Sequence, residues 1–143
     1  MAAEAFYPRA TVLWRRPYVE LVHDASTGIF ATRWLGFAPS AEYRATLEEA
    51  VVLASQLAPT AWLADNRAMR VVGPRDQTWT VERWWPTFAR LPIRRLAIVL
   101  ATDMFNRLAI ERIVQRATVA SPWETAHYDR FEPALAWAEA ASR

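Results

Sequence analysis

One short stretch, Leu96 to Leu100, constrains this chain more than any other. It is apolar at every position and about a strand long, and a helical pattern lies on either side of it. A strand that is apolar on both faces must be covered on both, which calls for an interior strand with helices packed against the sheet. The rest of the chain reads consistently with that demand. Thr11 to Arg16, Tyr18 to His23 and Ile29 to Leu35 are short and rich in Val, Leu, Tyr, Trp or Phe, with breaks at Pro17 and at Asp24-Ala-Ser-Thr-Gly28. In the second break Asp, Ser and Thr can satisfy turn amides and Gly28 accepts a positive φ, so an antiparallel opening is expected.

From Ser40 to Leu57 the spacing turns helical, with Tyr43, Leu47, Ala50, Val51, Ala54 and Leu57 on one face and Ser40 as the N-cap. Thr60 to Ala64 is a short apolar strand ending in Asp65-Asn66-Arg67. A second helix follows Gly73-Pro74, capped by Asp76 and marked by Val81, Trp84, Trp85 and Phe88; Pro86 inside it predicts a kink or an early break. Asp103 caps a third helix through Arg116 whose buried stripe reads as Phe105, Leu108, Ala109 and Ile113. Glu124 to Tyr128 is a weak strand. The last helix runs from about Arg130 to Ala141, with Asp129 and Glu132 in a capping-box arrangement. The order β-β-β-α-β-α-β-α-β-α predicts an α/β fold: a mixed β-sheet with an antiparallel N-terminal hairpin and right-handed helical crossovers. A chain of 143 residues fits a single domain over residues 1–143, with residues 1–10 expected to be flexible.

The element order, together with Trp62-Leu-Ala-Asp-Asn-Arg67, Leu96-Ala-Ile-Val-Leu-Ala-Thr-Asp103 and Phe131-Glu-Pro-Ala-Leu-Ala-Trp137, resembles small bacterial STAS-like (SpoIIAA-like) proteins. These share the fold of anti-sigma-factor antagonists and, more loosely, the shape of CRAL-TRIO lipid-binding domains. The resemblance covers the chain from Thr11 onward and implies a STAS-like sandwich; its motifs are specific for fold rather than for activity. Such antagonists carry a phosphorylatable serine or threonine in an Asp-Ser-Gly-like loop after a central strand. The comparable loop here is Asp65-Asn66-Arg67, which has no hydroxyl.

Composition excludes several chemistries. There is no cysteine, hence no disulfide framework or thiolate site, and with no secretory pattern from Met1 to Phe6 the cytoplasm is the expected compartment. All 17 basic residues are arginine, which explains a pI near 9.5 at a net charge of only +2. Acids are interspersed among them, so nucleic-acid binding is not expected. No apolar run is long enough for membrane insertion. His23 and His127 stand far apart without paired carboxylates, and the three glycines form no phosphate-cradling run, so neither a metal nor a cofactor is expected.

What remains is two groups of candidates. Loops beyond the carboxyl ends of parallel strands are where ligands gather, which singles out Asp65, Asn66, Arg67, Arg70, Asp103 and Asn106. They can bind a polar or anionic group, or serve locally, Asp103 as an N-cap and Asp65 with Arg67 as an ion pair. The chain also holds eight tryptophans, with Trp79, Trp84 and Trp85 on the middle helix and Trp62 beside it. They can fill the core, line a pocket or form a partner surface; Trp84 and Trp85 point about 100° apart on a helix, which leaves one of them partly exposed unless the apolar face is wide. The expected function is a non-enzymatic module acting through protein–protein interaction or self-association. The alternative is a carrier of a small apolar or lipid-like ligand in a Trp-lined pocket.

Overall fold

The computed structural model describes residues 7–117 and 121–142. Six strands form one sheet in the order in which they occur along the chain: β1 (Thr11–Arg16), β2 (Val19–Asp24), β3 (Ile29–Trp34), β4 (Ala61–Asp65), β5 (Arg95–Val99) and β6 (Glu124–Tyr128). β1, β2 and β3 pair antiparallel, and β3 to β6 run parallel. The expected α/β class, the antiparallel hairpin opening and the helical crossovers are therefore all present. The crossovers are α1 (Ser40–Leu57) from β3 to β4, a composite rod from β4 to β5, and α4 (Met104–Ala117) from β5 to β6. The rod joins α2 (Pro74–Trp79), a π-helical turn (Thr80–Trp84) and α3 (Trp85–Phe88), and α5 (Phe131–Glu139) closes the chain. No helix among the described residues is long and apolar enough to cross a membrane.

The two faces of the sheet differ in side-chain size, and that difference decides what covers them. On one face Phe30, Trp34, Trp62, Leu96 and Ile98 pack against Tyr43, Leu47, Trp84, Trp85, Phe88 and Ile113 of the crossover helices. On the other, Ala31, Ala61, Leu63, Ala97 and Val99 meet Ala134 and Ala138 of α5. Alanine on both sides of that contact lets a single helix lie close to the sheet. β5 is buried along Leu96 to Val99 and is covered from both sides, as its sequence demands. β1 is an exposed edge interrupted by a register shift between Val12 and Trp14 and carrying Arg15 and Arg16, features that discourage pairing with another chain.

Several local expectations change. α1 is preceded by Pro39 without a side-chain cap, because the Ser40 hydroxyl donates instead to Asp76 Oδ1, 2.7 Å away. Asp76 likewise does not cap the second helix: Gly73 holds that position, and Asp76 accepts from Arg44 Nε at 2.8 Å, tying α2 to α1. Asp129 makes no capping box, since Arg130 is the residue before α5 and no side chain caps it. Around Pro86 the rod changes character, a π-helical turn giving way to the short α3. The Trp85 N–H bonds Thr80 O, five residues back, and Pro86 falls in the first turn of α3, where a missing donor costs little.

Residues 1–6 of the N-terminal segment expected to be flexible lie outside the described residues; Tyr7 is buried against Phe131 and its hydroxyl donates to Asp24 Oδ2 at 2.7 Å. Asp24 also accepts from the Ser26 amide and hydroxyl, and Gly28 takes φ +73° with Thr60 Oγ1 so close that a Cβ would meet it at 2.7 Å. Burial alone would raise the Asp24 pKa, but hydrogen bonds from Ser26, Tyr7 and Thr27 outweigh it and bring the group down to about 2. Because this lies below the ordinary carboxylate value, the stabilisation is complete above that ordinary value and is lost as pH falls through the folded one. Urea unfolding followed from about pH 6 to about pH 2 should show about 1–2 kcal/mol of acid destabilisation from this group. Asp24→Asn should flatten that part of the profile.

Candidate functional site

The loops after β4 and β5 do come together at the carboxyl end of the parallel strands: the Thr102 amide and hydroxyl both donate to Arg67 O, at 3.2 and 2.9 Å. The predicted cluster nevertheless divides among different tasks. Asp65 is buried and is held by Arg67 through both oxygens, Nε to Oδ1 at 2.9 Å and Nη2 to Oδ2 at 2.8 Å, with the Arg67 amide on Oδ1 as well. A carboxylate so engaged is an anchor for the loop rather than a free base. The pairing raises the pKa of Arg67 above its already high ordinary value.

Asn66 points away from that pair. Its N–H bonds Val99 O and so continues the β4–β5 ladder, which puts its side chain on the aromatic face with Trp62 and Ala64. Arg70 is exposed, and its amide bonds Gly36 O at 3.0 Å. Asp103 Oδ1 accepts the Phe105 amide at 3.0 Å and thus acts as the N-cap of α4. Asn106 is completely buried: its Oδ1 accepts the Val72 amide at 3.0 Å and its Nδ2 donates to Met69 O at 3.2 Å.

That amide corrects the predicted stripe of α4. The buried residues are Asn106, Ala109, Ile113 and Val114, while Phe105 is 76% exposed and Leu108 is exposed as well. Turning the helix to bury Phe105 would strand two backbone groups of the Met69–Val72 loop, a larger loss than leaving one aromatic ring in water. The expectation that one of Trp84 and Trp85 reaches the surface is corrected too, since each is only 7% exposed. The rod is enclosed on both flanks: Trp84 Nε1 donates to Leu47 O on α1 at 2.6 Å, and Trp85 Nε1 to Ser121 Oγ before β6 at 3.1 Å. Phe88 stands at the centre of this aromatic group, stacked on Trp84 at 4.4 Å and edge-on to Trp62, Trp85 and Trp123. Trp79 is half-buried against Tyr43 with Arg44 over its ring.

Two further features of this end of the molecule bear on what it can bind. The first is a set of exposed apolar side chains on three neighbouring segments: Phe37 after β3, Val71 after β4, and Met104, Phe105 and Leu108 on α4. The bonds from Arg70 to Gly36 and from Asn106 to Met69 and Val72 hold these segments side by side. The second is a cavity of about 80 Å³ on the aromatic face, walled by Trp34, Trp62, Trp84 and Ile113 and reached by Thr32 and Asn66. Among the described residues no group of three or more His, Asp or Glu is placed to hold a metal ion. His127 lies on β6, its pKa lowered by burial, which the nearby Glu111 opposes and Arg107 assists. No family model, curated protein or solved structure matches the chain.

The two sides of α4 make opposite predictions. Asn106→Ala should lower the unfolding free energy by about 2–3 kcal/mol, because it leaves a buried amide and carbonyl without partners. Phe105→Ala, one residue earlier, should change it by no more than about 0.5 kcal/mol. Paired urea titrations of the two variants check the assignment.

Proposed function

We propose that this protein is a non-enzymatic binding module of STAS-like type that acts through protein–protein contact at the carboxyl end of its parallel strands. The observation that carries the reading is the apolar patch there, where Phe37 at 65% and Phe105 at 76% exposure stand with Val71, Met104 and Leu108. Exposed aromatic, aliphatic and methionine side chains gathered at one end beside arginine have the composition of an interface centre. The polar groups around it serve the fold, Asp65 with Arg67 and Asp103 on the α4 amides, which favours binding over chemistry. The mixed sheet with its hairpin opening and helical crossovers is what supports the STAS-like part of the proposal.

A second copy of this chain is the occupant the patch fits best. Arg70 and Asp103, the neighbours in sequence of Val71 and Met104, line one hollow together with Arg67, and in a two-fold contact an arginine of one copy can meet Asp103 of the other. The tryptophans of the rod contribute from below by fixing the patch, since Trp84 and Trp85 are core residues.

Sedimentation velocity over a wide concentration range tests this. The wild type should show a monomer–dimer equilibrium, and Phe105→Asp should shift it to monomer by at least about tenfold in Kd while leaving the thermal midpoint nearly unchanged. A wild type that stays monomeric throughout, with Phe105→Asp indistinguishable from it, removes the self-association reading.

A further inference from the structure

The aromatic face of the sheet is close-packed except in one place, and the sequence of one row explains where. Going across the strands, Phe30, Trp62 and Leu96 make a row of large side chains, and the next row in register is Thr32, Ala64 and Ile98. Thr32 and Ala64 are too short to reach the helices above them. The space they leave, about 80 Å³, is roofed by Leu47 and Trp84 and closed on the α4 side by Ile113.

Its polar groups sit together rather than scattered. Thr32 is 2% exposed and Asn66 is 5% exposed. Both lie on the cavity side of adjacent parallel strands, Thr32 opposite Ala64 and Asn66 two residues further along β4. The third polar contact is Tyr43. Thr80 Oγ1 donates its one proton to Asp76 O at 2.6 Å, so in the 2.7 Å contact the Tyr43 hydroxyl must be the donor, and its oxygen keeps free lone pairs. No charged side chain reaches the wall. Among the described residues the fully buried side-chain atoms without a partner are Trp14 Nε1, Trp123 Nε1 and Thr125 Oγ1, so the Thr32 hydroxyl and the Asn66 amide open onto the space and can be satisfied from it. Water can sit only beside those two groups, because a water molecule needs two to four polar partners and the remaining wall is apolar.

We infer that this cavity is a binding site for a small uncharged molecule with a compact apolar body and one hydrogen-bonding head, the head meeting Thr32 and Asn66 and the body lying among Trp62, Trp84 and Ile98. The volume sets the size. It is roughly half that of a cavity that accepts benzene and well below the roughly 300 Å³ at which drug-sized ligand pockets begin, so a lipid chain does not fit. A second cavity of about 180 Å³ shares Trp34, Tyr43 and Met69 with it and is lined further by Phe37, Arg70 and Gly73, which gives a route in from the carboxyl end of the sheet. Met69, unbranched and flexible, stands between the two.

Three isosteric probes small enough for the space separate the contributions: ethanol, propane and acetate, which present a hydroxyl, a methyl and a carboxylate on nearly the same body. Tryptophan fluorescence and thermal melting of the intact protein report binding directly, since the cavity wall contains indoles. Ethanol should give a saturable fluorescence change and a raised Tm, propane should bind about tenfold more weakly, and acetate should not bind. Thr32→Val keeps the shape and removes the hydroxyl, so it should shrink the preference for alcohol over hydrocarbon to less than about threefold. Ala64→Leu fills the row and should abolish the response to both. The inference is overturned if ethanol produces no saturable change, if Thr32→Val retains the full preference, or if folded Ala64→Leu responds like the wild type. Should Ala64→Leu fail to fold, the Thr32→Val comparison decides alone.

Discussion

The side-chain amide of Asn106 is a small group with a wide reach. Completely buried, it joins the start of α4 to both ends of the Met69–Val72 loop, and no other residue in that position offers a donor and an acceptor in the required directions. Its two bonds fix the rotation of α4 about its own axis. From that rotation follows which residues of the helix meet the sheet and which are left outside, so Ile113 and Val114 join the aromatic core while Phe105 and Leu108 face solvent. The same bonds hold Val71 beside α4 and, through Arg70 and Gly36, bring the loop after β3 into line. The apolar patch and one wall of the cavity are thus both consequences of how one amide is satisfied.

The sheet contributes the second constraint, an unequal division of bulk between its faces. Large rings on one side need a thick helical layer, supplied by the three crossovers, and alanines on the other accept a single close helix. Close packing of large aromatic rings is seldom complete, because their shapes interlock less readily than aliphatic chains and a short residue in the wrong row leaves space. Thr32 and Ala64 are those residues here. Specific binding and core packing are therefore adjacent on this scaffold, and the tryptophans belong to both.

How far the chain could be read in advance follows from which signals are local. Strands and helices were legible nearly residue by residue where apolar spacing was strong: α1 and β6 fall where the pattern places them, and β2 to β5 differ by a residue at the ends. Caps were harder, since Ser40, Asp76 and Asp129 all have the right chemistry in the right place, yet the first two are drawn into a tertiary contact between α1 and α2. The stripe of α4 was misplaced because a polar residue stands in it. Ala109, Ile113 and Val114 extended backward by one turn reach Asn106, and Phe105 is the more tempting anchor by hydrophobicity alone. The loop cluster was legible as a location, with Asp65 and Arg67 paired as one of the two readings held, but the split that sends Asn66 to the opposite face depends on strand parity continuing past the end of β4. A Trp-lined pocket was one of the options the sequence offered, but its position and size depend on which short residues become neighbours across strands.

Strand order in this sheet is also chain order, from β1 at one edge to β6 at the other. Every strand after the first pairs with the one synthesised just before it, so no pairing waits for a distant segment and no strand is inserted between two already joined. The longest closure needed is a single crossover. As the chain leaves the ribosome it can grow by accretion, each β-α unit adding to the open side of a sheet that already exists. The aromatic layer is completed in the same sequence, and the cavity takes its final form only when α4, the last of the three crossovers, docks.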